Sequence, residues 1–299
     1  MRKRISVFFS LILCLCLLTL SVVPFNALTL INSNGYIYTI ETENGLAALY
    51  SVDEEITDVV IPKQFDNNMV YYVYDHAFYK NNSIRSLDMS KAINLREIGE
   101  MAFANTNITS VTIPYWISKL KFAGFQDCKQ LESITINAMV TTIPVQLCNR
   151  CESLTNAKIS SNVDTIEKFA FANCPNLEYM EIGRNVTSIA QSAFNNDPNL
   201  TLGVWYDSYG YHYAVENNIP YTLLDGVKLG DVNGDGYVNI NDVTVIQRHL
   251  AELEHLEGIY LHVADANQDG TLDISDATTL QMYLAEYDIP YPIGDIMTQ

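Results

Sequence analysis

Residues 165–177 read T-I-E-K-F-A-F-A-N-C-P-N-L, and residues 188–200 read S-I-A-Q-S-A-F-N-N-D-P-N-L. The two segments align without a gap and share an isoleucine, an Ala-Phe pair and a final P-N-L. Their phenylalanines, Phe171 and Phe194, are 23 residues apart. A fixed period of this length is typical of a repeat array, in which each unit buries its apolar face against its neighbours.

The same unit continues upstream. Its anchor position recurs at steps of 22 or 23 residues, at Phe103, Phe125, Cys148, Phe171 and Phe194, with Phe78 one longer step before. An aliphatic residue stands five places before these anchors: Ile98, Leu120, Ile143, Ile166 and Ile189. Alternating runs such as L-E-S-I-T-I, residues 131–136, follow the anchors and favour short strands. We therefore predict a β-rich solenoid over residues 56–202.

This pattern resembles the BspA-like leucine-rich repeat family. The resemblance covers residues 32–224 and implies two caps, from Tyr36 to Pro62 and from Tyr209 to Leu224. It implies a fold and an interaction surface. It names no ligand, because such arrays serve many binding roles.

The repeat explains most of the cysteines. Cys128, Cys151 and Cys174 occupy the same place in successive rungs, and Cys148 replaces an aromatic anchor. Buried thiols behave as small apolar side chains, so we expect packing. Two alternatives stay open, which are a Cys128–Cys151 disulfide and metal or redox chemistry at the C-x-x-C of residues 148–151.

Four aromatic residues are candidate contacts for a ligand of the array, because exposed rings serve as platforms for sugars: Tyr115, Trp116, Tyr179 and Trp205. The alternative is cap packing or chance exposure. Polar residues such as Thr112 and Thr135 alternate with the predicted core positions.

The C-terminal part contains two matching twelve-residue segments that start 34 residues apart, D-V-N-G-D-G-Y-V-N-I-N-D at 231–242 and D-A-N-Q-D-G-T-L-D-I-S-D at 265–276. Each is typical of a calcium-binding loop of the EF-hand kind. The first would supply oxygens from Asp231, Asn233, Asp235, the Tyr237 carbonyl, Asn239 and Asp242. The second would use Asp265, Asn267, Asp269, the Thr271 carbonyl, Asp273 and Asp276. We predict two Ca²⁺ ions.

Both loops place a glycine sixth, Gly236 or Gly270, where the chain must turn sharply. Residues 228–299 carry thirteen acidic and two basic side chains, so we expect folding of this part to depend on calcium. Each loop leads straight into an amphipathic helix, and a further short helix is predicted at 254–261.

A duplicated loop-helix unit with G-D-V-N-G-D-G at its entrance resembles a type I dockerin, over residues 228–294. The resemblance implies an all-α calcium-binding module that binds a cohesin on a scaffoldin of a cellulosome. Carried onto this chain, the partner-binding positions are Ile240, Asn241, Gln247, Arg248, Glu252, Ile274, Ser275, Gln281, Met282 and Glu286. The two near-identical halves permit two binding orientations.

The N-terminus has three basic residues followed by an apolar run from Ile5 to Val23, which predicts a bacterial secretory signal cleaved near Ala27. A membrane anchor is the alternative. Cleavage leaves 14 basic and 35 acidic side chains, a net charge of −21, which argues against nucleic-acid binding.

The predicted fold class is a multidomain α+β protein: a signal peptide at 1–27, the repeat solenoid at 28–226 and the dockerin at 227–299. We expect a secreted, non-catalytic protein that attaches to an extracellular scaffold engaged in polysaccharide degradation. The repeats would bind a protein or a glycan. Two alternatives are a polysaccharide-degrading hydrolase subunit and a calcium-stabilised adhesin; the first lacks room for a catalytic domain with paired carboxylates.

Overall fold

The computed structural model describes residues 29–33, 36–43, 45–52 and 55–297. The predicted signal sequence at residues 1–27 lies outside the described residues. No helix in the described part of the chain is long and apolar enough to cross a membrane.

The first two thirds of the chain form a β-solenoid that begins with a β-meander. The meander comprises β1 (Thr29–Ser33), β2 (Tyr36–Glu43) and β3 (Leu46–Val52), which pair antiparallel. The remaining strands are β4 (Asp58–Val60), β5 (Gln64–Phe65), β6 (Asn68–Val73), β7 (Ser86–Asp88), β8 (Glu97–Ile98), β9 (Ser110–Ile113), β10 (Lys119–Leu120), β11 (Ser133–Ile136), β12 (Thr142–Ile143), β13 (Asn156–Ile159), β14 (Thr165–Ile166), β15 (Tyr179–Glu181), β16 (Ser188–Ile189), β17 (Thr201–Val204) and β18 (Tyr221–Leu223).

Successive rungs pair in parallel and build two faces of the solenoid. One face is a six-stranded sheet in the order β18-β17-β15-β13-β11-β9. The other face contains a seven-stranded sheet, in which the path β1-β2-β3-β6-β8-β10 carries β5 on β6, and a three-stranded sheet, β12-β14-β16. A short pair, β4-β7, lies beside β9. Parallel stacking at one rung per repeat confirms the predicted solenoid.

The alternation predicted from the sequence sorts each strand into an inner and an outer face. In β11, Ile134 and Ile136 are fully buried, whereas Ser133 and Thr135 are half-exposed. The register places Thr135 beside Thr112 of the preceding rung. Full burial of an isoleucine stabilises the array by about 1.5–3 kcal/mol, so the inner positions account for the fold and the outer ones form a polar surface.

The anchor phenylalanines form stacks along the interior. The Phe78 and Phe103 rings lie 4.8 Å apart at an angle of 7°, and the Phe103 and Phe125 rings lie 5.3 Å apart at 8°. Cys148 interrupts the stack, which resumes with Phe171 on Phe194 at 5.9 Å. Such pairs add about 0.5–1.5 kcal/mol each beyond the burial of their area.

The turn around each anchor uses a backbone conformation that the sequence did not predict. Met101 and Asn105, two residues to either side of Phe103, adopt positive φ angles of 49° and 58°. The N–H groups of these three residues donate to carbonyls of the next rung at 2.8–2.9 Å, those of Phe122, Gly124 and Gln126. Non-glycine residues in this region carry strain, and the ladder of hydrogen bonds between rungs compensates for it.

The four cysteines of the solenoid are buried free thiols, which confirms the packing interpretation. Cys128 donates through Sγ to the Phe103 carbonyl at 3.1 Å, and Cys151 donates to the Phe125 carbonyl at 3.2 Å. Each ladder thiol therefore bonds to the backbone of the preceding rung.

Helix α1 (Tyr209–Glu216) and strand β18 close the solenoid, as predicted for the C-terminal cap. Ser208 is the N-cap of α1, since its Oγ accepts from the Tyr211 N–H at 3.2 Å. The Arg184 guanidinium lies 4.1 Å from the centre of the Trp205 ring and bonds to Asp225 at 2.6 Å. The Arg184 guanidinium thus covers one face of the Trp205 ring.

The C-terminal part is all-α, with α2 (Ile240–Leu250), α3 (Ile259–Ala264) and α4 (Ile274–Leu284). The predicted short helix at 254–261 was misplaced. Gly258 precedes the observed helix with a φ of 58°, and the His249 ring accepts from the Leu256 N–H, so the chain before Gly258 is held as a loop. The fold class is the predicted one, a β-solenoid followed by a small helical module.

The module joins the solenoid through paired backbone segments. Met297 accepts from the Leu223 N–H at the end of β18 and donates to the Val227 carbonyl, at 3.1 and 3.2 Å. Lys228 and Ile296 form an antiparallel bridge. The last described residues therefore tie the helical module to the solenoid cap.

Candidate calcium-binding and docking site

The first loop is closed by Asp242, which lies in the first turn of α2 and is fully buried. Its Oδ1 accepts from the N–H groups of Val232 and Asn233 at 2.9 and 3.1 Å. Its Oδ2 accepts from the Asn239 N–H at 2.8 Å. One carboxylate thus joins the entrance of the loop to its exit and caps the helix.

The other predicted ligands of the first loop surround the sharp turn at Gly236, whose φ is 87°. Asp231 accepts through Oδ2 from the Gly236 N–H, and Asp235 accepts through Oδ1 from the Tyr237 N–H, both at 2.9 Å. Asn233 accepts from the Asp235 N–H at 2.9 Å. The side chains of the first, third and fifth positions therefore curl around one short segment.

The second loop repeats this arrangement around Gly270, at a φ of 84°. Asp276 is fully buried and accepts from the N–H groups of Asn267 and Asp273 at 3.2 and 2.9 Å. Asp265 accepts through Oδ2 from the Gly270 N–H at 2.8 Å. Further bonds connect the Asp269 N–H to Asn267 and the Thr271 N–H to Asp269, each at 2.9 Å.

The electrostatics of both loops favour a bound cation. Burial raises the pKa of Asp242, despite hydrogen bonds from Asn239, Asn233 and Val232 that lower it, and the charge of Asp231 raises it further. Burial likewise raises the pKa of Asp276, and the charges of Asp265 and Asp269 contribute. Asp231 is itself buried, and its Oδ1 has no hydrogen-bond partner within the described structure. Crowded, buried carboxylate oxygens are costly without a positive charge.

The donor set fits a hard cation. All the predicted ligands are carboxylate, amide or carbonyl oxygens, which Ca²⁺ prefers. Within the described ranges, no three His, Cys, Asp or Glu side chains form a metal cluster, and the loop carboxylates accept from backbone N–H groups. The amide oxygen of Asn239 and the carboxylate of Asp273 act as helix N-caps, accepting from Asn241 and Ser275. When bound, Ca²⁺ would neutralise the carboxylates and hold each loop closed.

The predicted partner-binding residues lie on and after α2 and α4. Nine are exposed: Ile240, Asn241, Gln247, Arg248, Glu252, Ile274, Gln281, Met282 and Glu286. Ser275 is half-buried and its Oγ accepts from the Asn267 amide at 2.8 Å. The two halves also match in their backbone, because Glu252 and Glu286, two residues beyond the ends of α2 and α4, adopt φ angles of 56° and 61°.

The largest difference between the halves is at Arg248 and Met282. Arg248 forms an ion pair with Glu254, 3.0 Å from Nε to Oε2, whereas Met282 presents an uncharged side chain that is 39% exposed. Leu253 and Tyr287, each three residues beyond the end of its helix, are 72% and 64% exposed, and the sequence-based set of partner-binding candidates does not include them. The signal that could have found them is their equivalent position, 34 residues apart, in the two repeats.

Comparison with known families places each part of the chain. Residues 53–201 match six copies of the BspA type leucine-rich repeat region, and residues 229–285 match the type I dockerin domain. Both are interaction modules, and no enzymatic domain is found by the family comparison. No curated protein matches the chain.

Solved structures resemble the solenoid. A leucine-rich repeat protein of T. pallidum is 23% identical with a TM-score of 0.50, covering 56% of this chain and 78% of its own. A leucine-rich repeat protein from Eubacterium ventriosum is 21% identical with a TM-score of 0.49, covering 57% of this chain and 44% of its own. The T. pallidum likeness shows the fold alone. The chain thus joins a BspA-type leucine-rich repeat region to a C-terminal type I dockerin domain.

Proposed function

We propose that this chain is a secreted, non-catalytic protein that a calcium-loaded dockerin, residues 227–299, attaches to a cohesin on an extracellular scaffoldin. The repeat domain, residues 28–226, would bind a protein or a glycan through the polar outer face of its sheet. Type I dockerins in general bind cohesins and calcium, and dockerins and BspA-type repeats are typical of extracellular or surface-associated bacterial proteins. Attachment to a polysaccharide-degrading assembly follows from this proposal.

The observation that carries the calcium part is the repeated role of Asp242 and Asp276. Each is fully buried, each closes its loop, and each caps the helix that carries the docking residues. A cation in each loop would therefore fix the start of the helix relative to the loop. Calcium is expected to order the docking surface rather than to touch the partner.

The two halves support two binding orientations related by a half-turn. Ile240 and Ile274 occupy equivalent first-turn positions and are 60% and 63% exposed. Because Arg248 and Met282 differ in charge, the two orientations would have unequal affinities.

Substitution at the loop-closing positions tests the proposal. Asp242→Asn and Asp276→Asn remove one charge each from a buried position, and we expect each variant to bind one Ca²⁺ at least about tenfold more weakly. Helicity measured by circular dichroism should then rise only at higher calcium concentration. Asp288→Asn is the matched control, since Asp288 is an exposed acidic residue outside both loops. Unchanged calcium titrations for both loop variants would contradict the proposed sites.

A further inference from the structure

Two of the four candidate aromatic residues, Tyr115 and Trp116, line a groove beside the six-stranded sheet. Trp205 is covered by Arg184. Tyr179 lies across Gly203, where even a methyl group would collide with the phenol. Tyr115, in contrast, is 63% exposed and lines a groove of about 590 Å³.

The Tyr115 ring is held in place from its own turn. Trp116 packs against it edge-on, with ring centres 5.3 Å apart and an angle of 72°. The Trp116 indole is half-buried and packs on the core, and its N–H is buried without an acceptor in the described structure. A ring that packs edge-on against a half-buried neighbour has less conformational freedom to lose on binding, which favours a binding platform.

The rest of the groove carries polar groups of the kind that bond to sugar hydroxyls. Ser110 and Thr112 are the outward side chains of β9, Asn137 follows β11 in the next rung, and Asp88 ends β7. Hydrogen bonds from the side chain and backbone of Ser90 lower the pKa of Asp88, so its carboxylate stays ionised as an acceptor. One exposed ring beside hydroxyl, amide and carboxylate groups matches a pyranose, which has an apolar face and a hydroxylated edge.

The groove is less suited to an extended peptide than to a sugar. Strand β9 lies between β7 and β11, and its register with β11 runs through all four residues. Strand β9 is the terminal strand of its sheet, and β7, which belongs to a separate two-stranded sheet, lies along its outer side, so a peptide would have to displace β7 to extend this edge. A ligand in this groove would therefore contact side chains. Among the polar groups named above, only Asp88 carries a formal charge, and its negative charge disfavours an anionic ligand.

We propose that the groove formed by Tyr115, Trp116, Asp88, Ser110, Thr112 and Asn137 is a binding site for a neutral oligosaccharide. This inference rests on the proposed role of the repeats as an interaction surface and names its ligand class. Stacking of a sugar ring on Tyr115 supplies affinity, and the polar groups select the arrangement of hydroxyls. The volume lies within the range of about 300–1,000 Å³ typical of small-ligand sites.

The test is calorimetric titration of the chain lacking the signal sequence with cellopentaose, xylopentaose and mannopentaose. We expect at least one of them to bind. Tyr115→Ala should weaken that binding by about tenfold or more, and Tyr115→Phe, which keeps the ring, should stay within about threefold. Tyr71→Ala removes an exposed ring from the other face of the solenoid and should change nothing.

Tryptophan fluorescence gives an independent readout, since the chain has two tryptophans and Trp205 is covered. A change on sugar binding that survives Trp205→Phe places the ligand beside Trp116. Binding of none of the sugars, equal binding by Tyr115→Ala, or a Tyr115-dependent preference for peptides would overturn the inference. Cohesin binding is measured on the same preparations. Cohesin binding without sugar binding refutes this groove alone, and the reverse refutes the docking proposal alone.

Discussion

The phenol ring of Tyr206, just before the solenoid cap, stacks on the imidazole of His262 in the dockerin, with ring centres 5.6 Å apart and an angle of 27°. Its hydroxyl donates to the Gly258 carbonyl at 3.3 Å, and its backbone N–H is held by Asp225. His262 lies three residues before Asp265, the first residue of the second predicted calcium-binding loop. The C-terminal end of the solenoid and the dockerin are therefore in direct contact.

Tyr206→Ala should weaken this junction. We expect a loss of about 1 kcal/mol, or a few degrees in Tm, because one stacked pair and one hydrogen bond disappear. The Tm of Tyr206→Phe, which keeps the stacked pair, should lie between those of the wild type and Tyr206→Ala. Differential scanning calorimetry in calcium checks both variants against Tyr209→Ala, a partly exposed tyrosine of the solenoid cap. If Tyr206→Ala and Tyr209→Ala unfold at the same Tm, the contact between Tyr206 and the dockerin does not contribute to stability.

The buried thiols predict a clear chemical behaviour. Burial raises the pKa of Cys128 to about 12, and it also raises the pKa of Cys148, Cys151 and Cys174. Because the thiolate is the reactive form, native protein at neutral pH should resist iodoacetamide. After denaturation without reductant, mass spectrometry of residues 28–299 should show four alkylated thiols. Two alkylated thiols would instead reveal a disulfide.

Asp197 gives the solenoid a pH dependence. It lies 23 residues after Cys174, at the repeat position that the ladder thiols occupy in earlier rungs. Its Oδ1 accepts from the Cys174 N–H at 2.6 Å. Its Oδ2 is buried without a hydrogen-bond partner in the described structure. Burial raises its pKa from 3.8 to about 8. Between these two values the unfolded chain has lost the proton that the folded chain retains, so stability falls as pH rises from about 4 to about 8.

Asp197→Asn should remove this pH dependence while leaving the hydrogen bond to Cys174 possible. Urea unfolding of the solenoid at pH 5, 6.5 and 8 measures it, with Asp164→Asn as a control at another partly buried aspartate of the array. The wild-type midpoint should decrease over this series, and the midpoint of the Asp197→Asn variant should stay level. An equal slope for both proteins would show that Asp197 is ionised throughout.

The two docking orientations predict a non-additive result. Arg248→Ala alone should lower cohesin affinity by less than about tenfold, because the half containing Met282 can still bind. Met282→Ala alone should likewise be tolerated. The double variant should lose far more than the sum of the two single effects. Surface plasmon resonance measures all three, and complete loss in Arg248→Ala alone would contradict two orientations.

Sequence periodicity predicted the solenoid because apolar residues at fixed spacing leave one way to bury them. Phe103 and Ile134 are fully buried, as their positions in the repeat require. The spacing of oxygen-bearing side chains around Gly236 and Gly270 predicted both loops. Two twelve-residue segments with the same spacing rarely occur in one chain by chance. In each case the prediction used interactions that are local or that recur with a fixed period.

What could not be predicted either has no residue type that marks it or depends on contacts that occur once. The positive φ of Met101 recurs at Ala123 and Gln146 in the next rungs, but no glycine marks these positions in the sequence. The covering of Trp205 needs Arg184 and Asp225, which are 41 residues apart. The position of α3 follows from Gly258 and from the contact between the module and the cap, and no sequence pattern encodes that contact.

Calorimetry of the chain lacking residues 1–27 against a panel of scaffoldin cohesins, with calcium and then with chelator, tests the central claim most directly. Calcium-dependent docking predicts saturable binding to at least one cohesin with one partner bound per chain. It also predicts loss of that binding in chelator and its return when calcium is restored. Binding that persists undiminished in chelator, or no binding to any cohesin in calcium, would contradict the account.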